Sequence, residues 1–365
     1  MNKNTPPPVK QPVYIIGEIG VNHNGDRELA FQLVDVAFAA GVDAVKFQTF
    51  NADLLVTQNA EKANYQKQTT DTGESQYQMI KGLELSHDLH HELACYCREK
   101  GVQFLSSAFD LESLDFLVND LGLKTLKVPS GEITNGPLLL AHARSGCDLI
   151  VSTGMTTLAD IKEALGVLAF GFIGGEKPSK VAFLEAYSSP AGQSALKKKI
   201  TLLHCTTEYP APVQDINLNA LTTMRNTFDL NIGYSDHSEG IAVPIAAVAL
   251  GATVIEKHIT LDKTLPGPDH IASMEPRELI TMVNALRQVE QALGDGIKRL
   301  MPSEISNRDI ARKSLVAAKN IAQGEMFSPQ NLTTKRPGTG MSPMEYWDLI
   351  GKTSKQPYKS EDIIS

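Results

Sequence analysis

Residues 230–269 read LNIGYSDHSEGIAVPIAAVALGATVIEKHITLDKTLPGPD. Two short runs rich in isoleucine and valine flank a segment of helical composition, which is typical of a βαβ unit in a parallel sheet. His237 follows the first run and His258 ends the second. Because neighbouring strand ends meet on one face of a (β/α)8 barrel, both imidazoles are candidate ligands for a divalent cation, with positions left for water and substrate. Spacing alone also fits two unrelated polar residues at strand ends.

The same alternation of strand and helix precedes this stretch. Six further runs are predicted to be strands, at residues 13–20, 42–47, 102–107, 124–129, 148–152 and 200–204. Helical patterns lie between them, for example at 27–40 and 87–100. Eight strand–helix units in roughly 290 residues predict a TIM (β/α)8 barrel, which we place at residues 13–293.

Five segments depart from this alternation. Residues 1–12 are polar and proline-rich without the apolar core of a secretory signal, so we expect a flexible N-terminus. Residues 51–86 are too long for a plain turn, which indicates a functional loop. Residues 171–199 are predicted to be an insertion and residues 294–312 a polar linker. Residues 313–365 form a predicted small β-rich module, near the lower size limit for independent stability.

Composition limits the classes of function. Of the 365 residues, 42% are hydrophobic and 21% are charged, which is typical of a globular protein. The formal charge of -8 argues against a general nucleic-acid binder. No apolar run approaches the ~20 residues of a membrane span. The four cysteines include no CxxC pair, so we expect reduced thiols and a cytoplasmic location.

The predicted strand ends carry a common chemistry. Lysines and serines beside glycine-containing turns suit a phosphate or carboxylate, and they are Lys46, Ser107, Lys127, Ser130, Ser152 and Ser235. Glu18, Glu132 and Glu256 are candidates for acid/base work or for orienting a sugar. Each residue has a simpler interpretation, since a serine after a strand is often a helix cap. The spacing of His87, His90 and His91 indicates a solvated helix face rather than a second metal site.

Eight motifs, in order along nearly the whole chain, resemble those of the sialic acid synthase family, the phosphoenolpyruvate-dependent nonulosonate synthases. They read EIGVNHNG, VKFQT, LKVPSGE, VSTGM, LHCTTEYPAP, GYSDH, EKHITLDKTLPGPD and KRPGTG. The resemblance implies a TIM barrel followed by a C-terminal antifreeze-like (SAF) domain. It also implies a domain-swapped homodimer in which the small domain covers the partner's barrel.

The resemblance also implies roles for individual residues. The two metal ligands match His237 and His258, with Mn²⁺ the usual ion and Mg²⁺ another possibility. Phosphoenolpyruvate contacts match Lys46, Ser107, Lys127, Ser130, Ser152 and Ser235. Contacts to an N-acetylated amino sugar match Glu18, Gln48, Tyr209, Asp269 and, from the partner's small domain, Arg336. Glu132 and Glu256 lie in matching motifs and are expected to support catalysis by Glu18, Lys46 and Lys127.

The implied reaction joins carbon 3 of phosphoenolpyruvate to the aldehyde carbon of an open-chain sugar, with C–O cleavage and release of phosphate. N-acetylmannosamine would give N-acetylneuraminic acid. Two departures from the shortest family members leave the acceptor open: the 171–199 segment, and Thr207 where some members have asparagine. The rival acceptor is 2,4-diacetamido-2,4,6-trideoxymannose, which would give legionaminic acid.

Two other classes of function compete with this interpretation. A barrel metallohydrolase could use the same histidines, but it would not need several lysines around one anion site. A non-enzymatic ice or glycan binder is suggested only by the small terminal module, and it would need a flat, regular surface there.

Overall fold

The computed structural model describes residues 12–71 and 73–365, so the predicted flexible N-terminus lies outside the described residues except for Pro12. Eight parallel strands close into a barrel in sequence order, which confirms the predicted fold class. They are β1 Tyr14–Gly20, β2 Ala44–Thr49, β3 Gln103–Ala108, β4 Thr125–Val128, β5 Asp148–Ser152, β6 Ile200–Cys205, β7 Asn231–Asp236 and β8 Val254–His258.

Thirteen α-helices accompany the barrel strands in the described part of residues 1–294. They are α1 Arg27–Ala40, α2 Ala52–Leu55, α3 Asn64–Thr69, α4 Gln76–Lys81, α5 His87–Lys100, α6 Leu111–Asp115, α7 Gly136–Arg144, α8 Leu158–Phe172, α9 Lys180–Ser188, α10 Pro190–Lys199, α11 Ala220–Phe228, α12 Ala242–Ala249 and α13 Pro276–Leu293. Local signals define α1: the Asp26 side chain accepts a hydrogen bond from the Leu29 amide, and Gly41 ends the helix with φ 79°.

The two-residue period of a β-strand places the site above the barrel core. One interior layer consists of Ile16, Ala44, Leu105, Ile150, Leu203 and Val254. Two residues further along the same strands come Glu18, Lys46, Ser107, Ser152, Cys205 and Glu256. Because side chains two apart share a face, these residues also point into the barrel, towards the C-terminal ends of the strands. The apolar layer below them therefore forms the floor of the site.

The predicted insertion, residues 171–199, is mostly helical. It comprises the end of α8 followed by α9 and α10, both of which pack against α8. A Cβ atom added at Gly166 in α8 would lie 3.1 Å from the Phe183 carbonyl oxygen of α9. The absence of a side chain there lets the two helices approach closely.

The chain divides into two compact units after Gly294. The second contains α14 Ile305–Ala311, which lies within the predicted linker, and α15 Tyr346–Leu349. Its antiparallel strands β9 Ser314–Ala317 and β10 Leu332–Lys335 confirm the predicted β-rich module. The unit has its own core of Leu315, Ala317, Ile321, Phe327, Leu332, Tyr358 and Ile364. In the described part of the chain, no helix is long and apolar enough to cross a membrane.

Candidate active site

A cavity of about 440 Å³ opens at the C-terminal ends of the barrel strands. Every candidate site residue predicted within the first unit lines it: Glu18, Lys46, Gln48, Ser107, Lys127, Ser130, Glu132, Ser152, Tyr209, Ser235, His237, Glu256, His258 and Asp269. Arg336 belongs to the second unit, where it precedes Pro337. A larger cavity of about 990 Å³ lies at the opposite barrel end, but its carboxylates Asp43 and Asp148 pair with Arg287 and Lys199.

Two lysines and two glutamates form a buried charged cluster in the cavity. Lys46 Nζ lies 2.6 Å from Glu18 Oε2 and 3.9 Å from Glu256 Oε2. Lys127 Nζ lies 2.9 Å from Glu256 Oε1, which also accepts a hydrogen bond from Ser235 Oγ at 2.9 Å. All four charged side chains are at most 4% exposed. Removing four charged side chains from water is costly even when they are paired. Such a buried cluster in a cavity therefore indicates a functional site.

The environments of the two glutamates push their pKa values in opposite directions. Burial raises the pKa of Glu18 to about 7, although the Lys46 ammonium opposes this shift. Burial would also raise the pKa of Glu256, but Lys127 and Lys46 outweigh it and hold that pKa below its ordinary value. Near neutral pH, Glu256 is therefore ionised while Glu18 can gain or lose a proton. Such a divergence is typical of an acid/base group beside a permanent charge.

Three serine hydroxyls lie around the lysines. Ser107 Oγ lies 3.4 Å from Lys46 Nζ, and the buried Ser152 Oγ has no hydrogen-bond partner. Ser130 Oγ accepts a hydrogen bond from the Gly154 amide at 3.0 Å and lies 3.1 Å from Cys205 Sγ. A buried hydroxyl without a partner indicates that a ligand satisfies it. Hydroxyls and ammonium groups together suit an oxyanion such as phosphate.

His237 and His258 face the same cavity, with ring centroids 5.5 Å apart. His237 Nδ1 donates to the Thr206 carbonyl oxygen at 2.7 Å, which leaves Nε2 with its lone pair. His258 Nδ1 is buried without a hydrogen-bond partner and lies 3.8 Å from Asp269 Oδ2. Burial lowers the pKa of His237 to about 4 and holds that of His258 well below its ordinary value. Both imidazoles are therefore neutral at pH 7, as metal ligation requires.

These donors fit a divalent cation bound by two imidazoles. The hydrogen bond from His237 to a backbone carbonyl is the usual way in which proteins orient a ligating histidine. Within residues 12–71 and 73–365, no group of three or more histidine, cysteine, aspartate or glutamate side chains is arranged to hold a metal. The protein would therefore supply few ligands, which leaves positions for water and substrate, as in an open catalytic site.

The structure corrects one sequence-based interpretation. His90 does not belong to a solvated face, because its side chain is fully buried and its Nε2 lies 2.9 Å from Thr49 Oγ1. Thr49 in turn contacts Ser106 at 2.7 Å, so this network braces β2 and β3 behind the cavity. His87 does lie at the surface, stacked on Phe116 at 3.7 Å between ring centroids. A histidine's helical position alone cannot reveal which neighbouring element covers it.

The polar residues Asp236 and Lys257 also lie at strand ends, but they form an internal brace. Lys257 Nζ pairs with Asp236, and both side chains are at most 1% exposed. Lys257 also donates to the Ser238 carbonyl oxygen, while Asp236 accepts from the Ser238 amide. This arrangement joins the ends of β7 and β8 and so supports the two histidines that follow or end those strands.

Cys205, Gly154 and the backbone of Thr206 are site features that the sequence prediction missed. Cys205 ends β6 and lines the cavity beside Ser130. The two-residue step from the interior residue Leu203 is the signal that could have identified it. Gly154 lies where a Cβ atom would be 2.1 Å from Thr207 Oγ1 and 2.9 Å from Ser130 Oγ.

Replacing Gly154 by alanine is expected to displace the side chains of Ser130 and Thr207, which line the cavity together with Lys46 and Lys127. A hydrogen bond to a charged group contributes about 1.5–3 kcal/mol, so with Ser130 displaced we expect the KM for an anionic substrate to rise roughly 10-fold or more. Steady-state kinetics would measure this change. Gly136→Ala is the matched control, because a Cβ atom there meets nothing within 4 Å. An unchanged KM in Gly154→Ala would contradict the assignment of this pocket.

The fold and cavity define a (β/α)8-barrel enzyme whose active face combines a lysine–serine cluster, chemically suited to an anion, with a pair of neutral imidazoles. The chain belongs to the NeuB family, whose model matches residues 33–298, and a SAF domain matches residues 312–365. It is therefore a member of the family of nonulosonate synthases that its motifs resemble.

Individual relatives agree with this membership. An N,N'-diacetyllegionaminic acid synthase of Campylobacter jejuni subsp. jejuni serotype O:2 is 49% identical, over 96% of this chain and 98% of the relative. A protein of the same name from Legionella pneumophila subsp. pneumophila is 44% identical, over 93% of this chain and 89% of the relative. The crystal structure of an N-acetylneuraminic acid synthetase from Leptospira borgpetersenii, with citrate, superposes with a TM-score of 0.65 at 32% identity, over 82% of this chain and 90% of that one.

Proposed function

We propose that this enzyme condenses phosphoenolpyruvate with 2,4-diacetamido-2,4,6-trideoxymannose and water to give N,N'-diacetyllegionaminic acid and phosphate. The observation that carries the proposal is the pair Lys46 and Lys127, ringed by serines, in one cavity with His237 and His258. A pocket for a small polyanion beside a metal-type site suits a phosphoenolpyruvate-dependent condensation. The two legionaminic acid synthases among the relatives favour the diacetamido acceptor over N-acetylmannosamine, which remains the second candidate.

The anion pocket would hold the phosphate and carboxylate of phosphoenolpyruvate. Lys46 and Lys127 offset their charge, and the hydroxyls of Ser107, Ser130 and Ser152 would donate to their oxygens. Ser235, whose hydroxyl donates to Glu256 Oε1, would contact the ligand from the same wall and hold that carboxylate beside Lys127. Glu256 keeps both lysines in place, because it lies between them at 2.9 Å and 3.9 Å. The lysines are therefore preorganised before substrate binds, which reduces the cost of reorganisation during the reaction.

The acceptor's aldehyde would lie between this pocket and the histidine pair. Carbon 3 of phosphoenolpyruvate bonds to carbon 1 of the sugar, and the aldehyde oxygen takes a proton to become a hydroxyl. Glu18 would supply that proton, since its pKa of about 7 lets it give up a proton near neutral pH. Water adds to carbon 2 and loses one proton, which would return to Glu18. The C–O bond to phosphate then breaks, and the remaining hydroxyl proton leaves with phosphate to give the 2-keto acid. Glu132, whose carboxylate accepts from Asn135 Nδ2 at 2.7 Å, supports the mouth of the site.

His237 and His258 would hold Mn²⁺, or another divalent cation such as Mg²⁺. When bound, such an ion polarises the aldehyde as a Lewis acid and orients the acceptor. Tyr209 packs against His237 with ring centroids 4.1 Å apart, so it holds that imidazole from the side. Gln48, Tyr209 and Asp269 surround the remaining space and would bind the sugar's hydroxyl and amide groups.

Measuring phosphate release from phosphoenolpyruvate with Mn²⁺ tests this proposal. The two acceptors to compare are 2,4-diacetamido-2,4,6-trideoxymannose and N-acetylmannosamine. A reaction with phosphoenolpyruvate but without acceptor is the control. We expect release that requires an acceptor and a higher kcat/KM with the diacetamido sugar. A higher kcat/KM with N-acetylmannosamine would assign the chain as a sialic acid synthase, and hydrolysis without any acceptor would contradict a condensing enzyme.

We further propose that two copies of the chain form a domain-swapped dimer in the cytoplasm, where Arg336 of the partner subunit completes the sugar site. Each unit exposes large apolar side chains that a partner surface would cover. They are Met155 and Val213 on the barrel unit and Met344 and Trp347 on the small unit. The cysteines Cys95, Cys97, Cys147 and Cys205 are all free, which supports a reducing compartment.

A mixing experiment tests the shared site. Arg336→Ala chains and His237→Ala chains are each expected to be nearly inactive alone. Refolding them together should restore about a quarter of the normal activity, because half of random dimers are mixed and each has one intact site. Phosphate release and size-exclusion chromatography would measure this result. Activity no greater than the sum of the parents would contradict the swapped arrangement.

A further inference from the structure

One segment supplies much of the apolar lining of the cavity. Residues 51–86 contribute six apolar side chains to its lining, which we call the apolar wall: Leu55, Val56, Tyr65, Met79, Ile80 and Leu83. The charged cluster and the serines come instead from the barrel strands and the turns after them. The cavity therefore combines one strongly polar part with one apolar part.

Hydrogen bonds and ion pairs within the segment hold the apolar wall in place. Asp53 of α2 accepts from the Tyr77 hydroxyl at 2.7 Å and pairs with Lys81 Nζ at 3.2 Å, so it ties α2 to α4. Lys62 is buried and donates to Thr70 Oγ1, to the Asp71 carbonyl oxygen and to Glu74 Oε1. A preformed surface of this kind can discriminate between ligands without first paying an ordering cost.

The wall also adjoins the histidine pair. The Tyr65 ring centroid lies 5.1 Å from that of Tyr209, and Tyr209 lies 4.1 Å from His237. An acceptor whose aldehyde sits between the lysines and the histidines must extend its other carbons away from both. The apolar wall and the amide side chains of Gln66 and Gln76 line part of the space that remains, and Gln48, Tyr209 and Asp269 line the rest.

We infer that the apolar wall selects the acceptor by receiving the carbon-4 to carbon-6 end of a deoxy, doubly N-acetylated sugar; this inference rests on the proposed function. Such a sugar presents a carbon-6 methyl and an acetamido methyl where N-acetylmannosamine has hydroxyl groups. Both glutamines line the cavity, and because Gln66 Oε1 accepts from the Ala63 amide, the NH₂ group of Gln66 is the part of that side chain left to donate to an acetamido carbonyl.

The expected size of this selection follows from how apolar pockets discriminate. A hydrophobic pocket rejects a ligand with an added hydroxyl by about 100-fold. Weakening one part of the wall should therefore remove about 10-fold of the preference between the two acceptors. It should leave the KM for phosphoenolpyruvate unchanged, because the anion pocket is built from other elements.

Leu55→Asn and Leu54→Asn test the inference as a matched pair. The two leucines are adjacent on α2, but Leu55 lines the cavity whereas Leu54 is 51% exposed and does not. The measurement is kcat/KM for 2,4-diacetamido-2,4,6-trideoxymannose divided by that for N-acetylmannosamine. We expect this ratio to fall about 10-fold in Leu55→Asn and to change less than about 2-fold in Leu54→Asn.

If Leu55→Asn and Leu54→Asn show the same acceptor preference, with a normal KM for phosphoenolpyruvate, the inference is overturned while the proposed function stands. If Leu55→Asn does not fold, Ile80→Thr in α4 provides the same comparison with a smaller change of shape. An acceptor preference in Ile80→Thr equal to that of the unmodified chain would then overturn the inference. Absence of phosphate release by the unmodified chain with either acceptor would instead overturn the proposed function itself.

Discussion

Replacing His237 by alanine is expected to lower acceptor-dependent phosphate release by about 1,000-fold, since metal polarisation of a carbonyl contributes several kcal/mol. Manganese affinity should fall in parallel, because one of two imidazole donors is lost. The fold should persist, since His237 follows β7 and lines the cavity rather than the apolar core. Phosphate assays, calorimetric titration with Mn²⁺ and circular dichroism would measure the three quantities.

Two controls sharpen this result. His91→Ala removes an imidazole from the exposed face of α5 and should leave activity and manganese affinity near normal. Stripping the unmodified enzyme with a chelator should abolish activity, and added Mn²⁺ should restore it. Full activity in His237→Ala would exclude the two-histidine site.

Replacing Lys127 by methionine is expected to have two separable effects. Glu256 would lose its closest cation and keep only Lys46, whose Nζ lies 3.9 Å away, so a buried carboxylate is left poorly paired. The stability of the fold should fall by about 3 kcal/mol. The KM for phosphoenolpyruvate should rise and kcat should fall, for a combined loss of about 1,000-fold in kcat/KM. Denaturant unfolding and steady-state kinetics would measure these changes.

The double variant Lys127→Met with Glu256→Gln separates stability from catalysis. Removing the stranded charge should recover most of the lost stability, because neither partner then remains buried and unpaired. It should not recover activity, because the anion pocket still lacks a lysine. Lys124→Met, an exposed lysine just before β4, is the control for charge. Recovery of activity in the double variant would show that Lys127 acts only as a partner of Glu256.

Much of the barrel and its site follows from local patterns in the sequence. The alternation along each strand determines which side chains point inwards, so the step from Ile16 to Glu18 or from Val254 to Glu256 places a charge above an apolar layer. Caps such as Asp26 and Gly41 define helix ends within a few residues. The convergence of strand ends then brings together residues that are more than 200 positions apart, such as Glu18 and Glu256.

Other features depend on contacts that no local pattern reveals. His90 has the same helical spacing as a solvated histidine, yet the ends of β2 and β3 cover it. The short helices of residues 51–86 have weak signals of their own and are held by Lys62 and by contacts with the barrel. Their role as a cavity wall is evident only from the folded structure, in which Leu55 and Ile80 line the same cavity.

The most direct test of the condensation is to follow the bridging oxygen of phosphoenolpyruvate labelled with ¹⁸O. The reaction should be run with Mn²⁺ and 2,4-diacetamido-2,4,6-trideoxymannose, and both products examined by mass spectrometry. We expect the label to leave with phosphate, because the bond between carbon 2 and oxygen breaks and water supplies the new keto oxygen. Label retained in the nine-carbon acid, or found in pyruvate with the sugar unchanged, would contradict it.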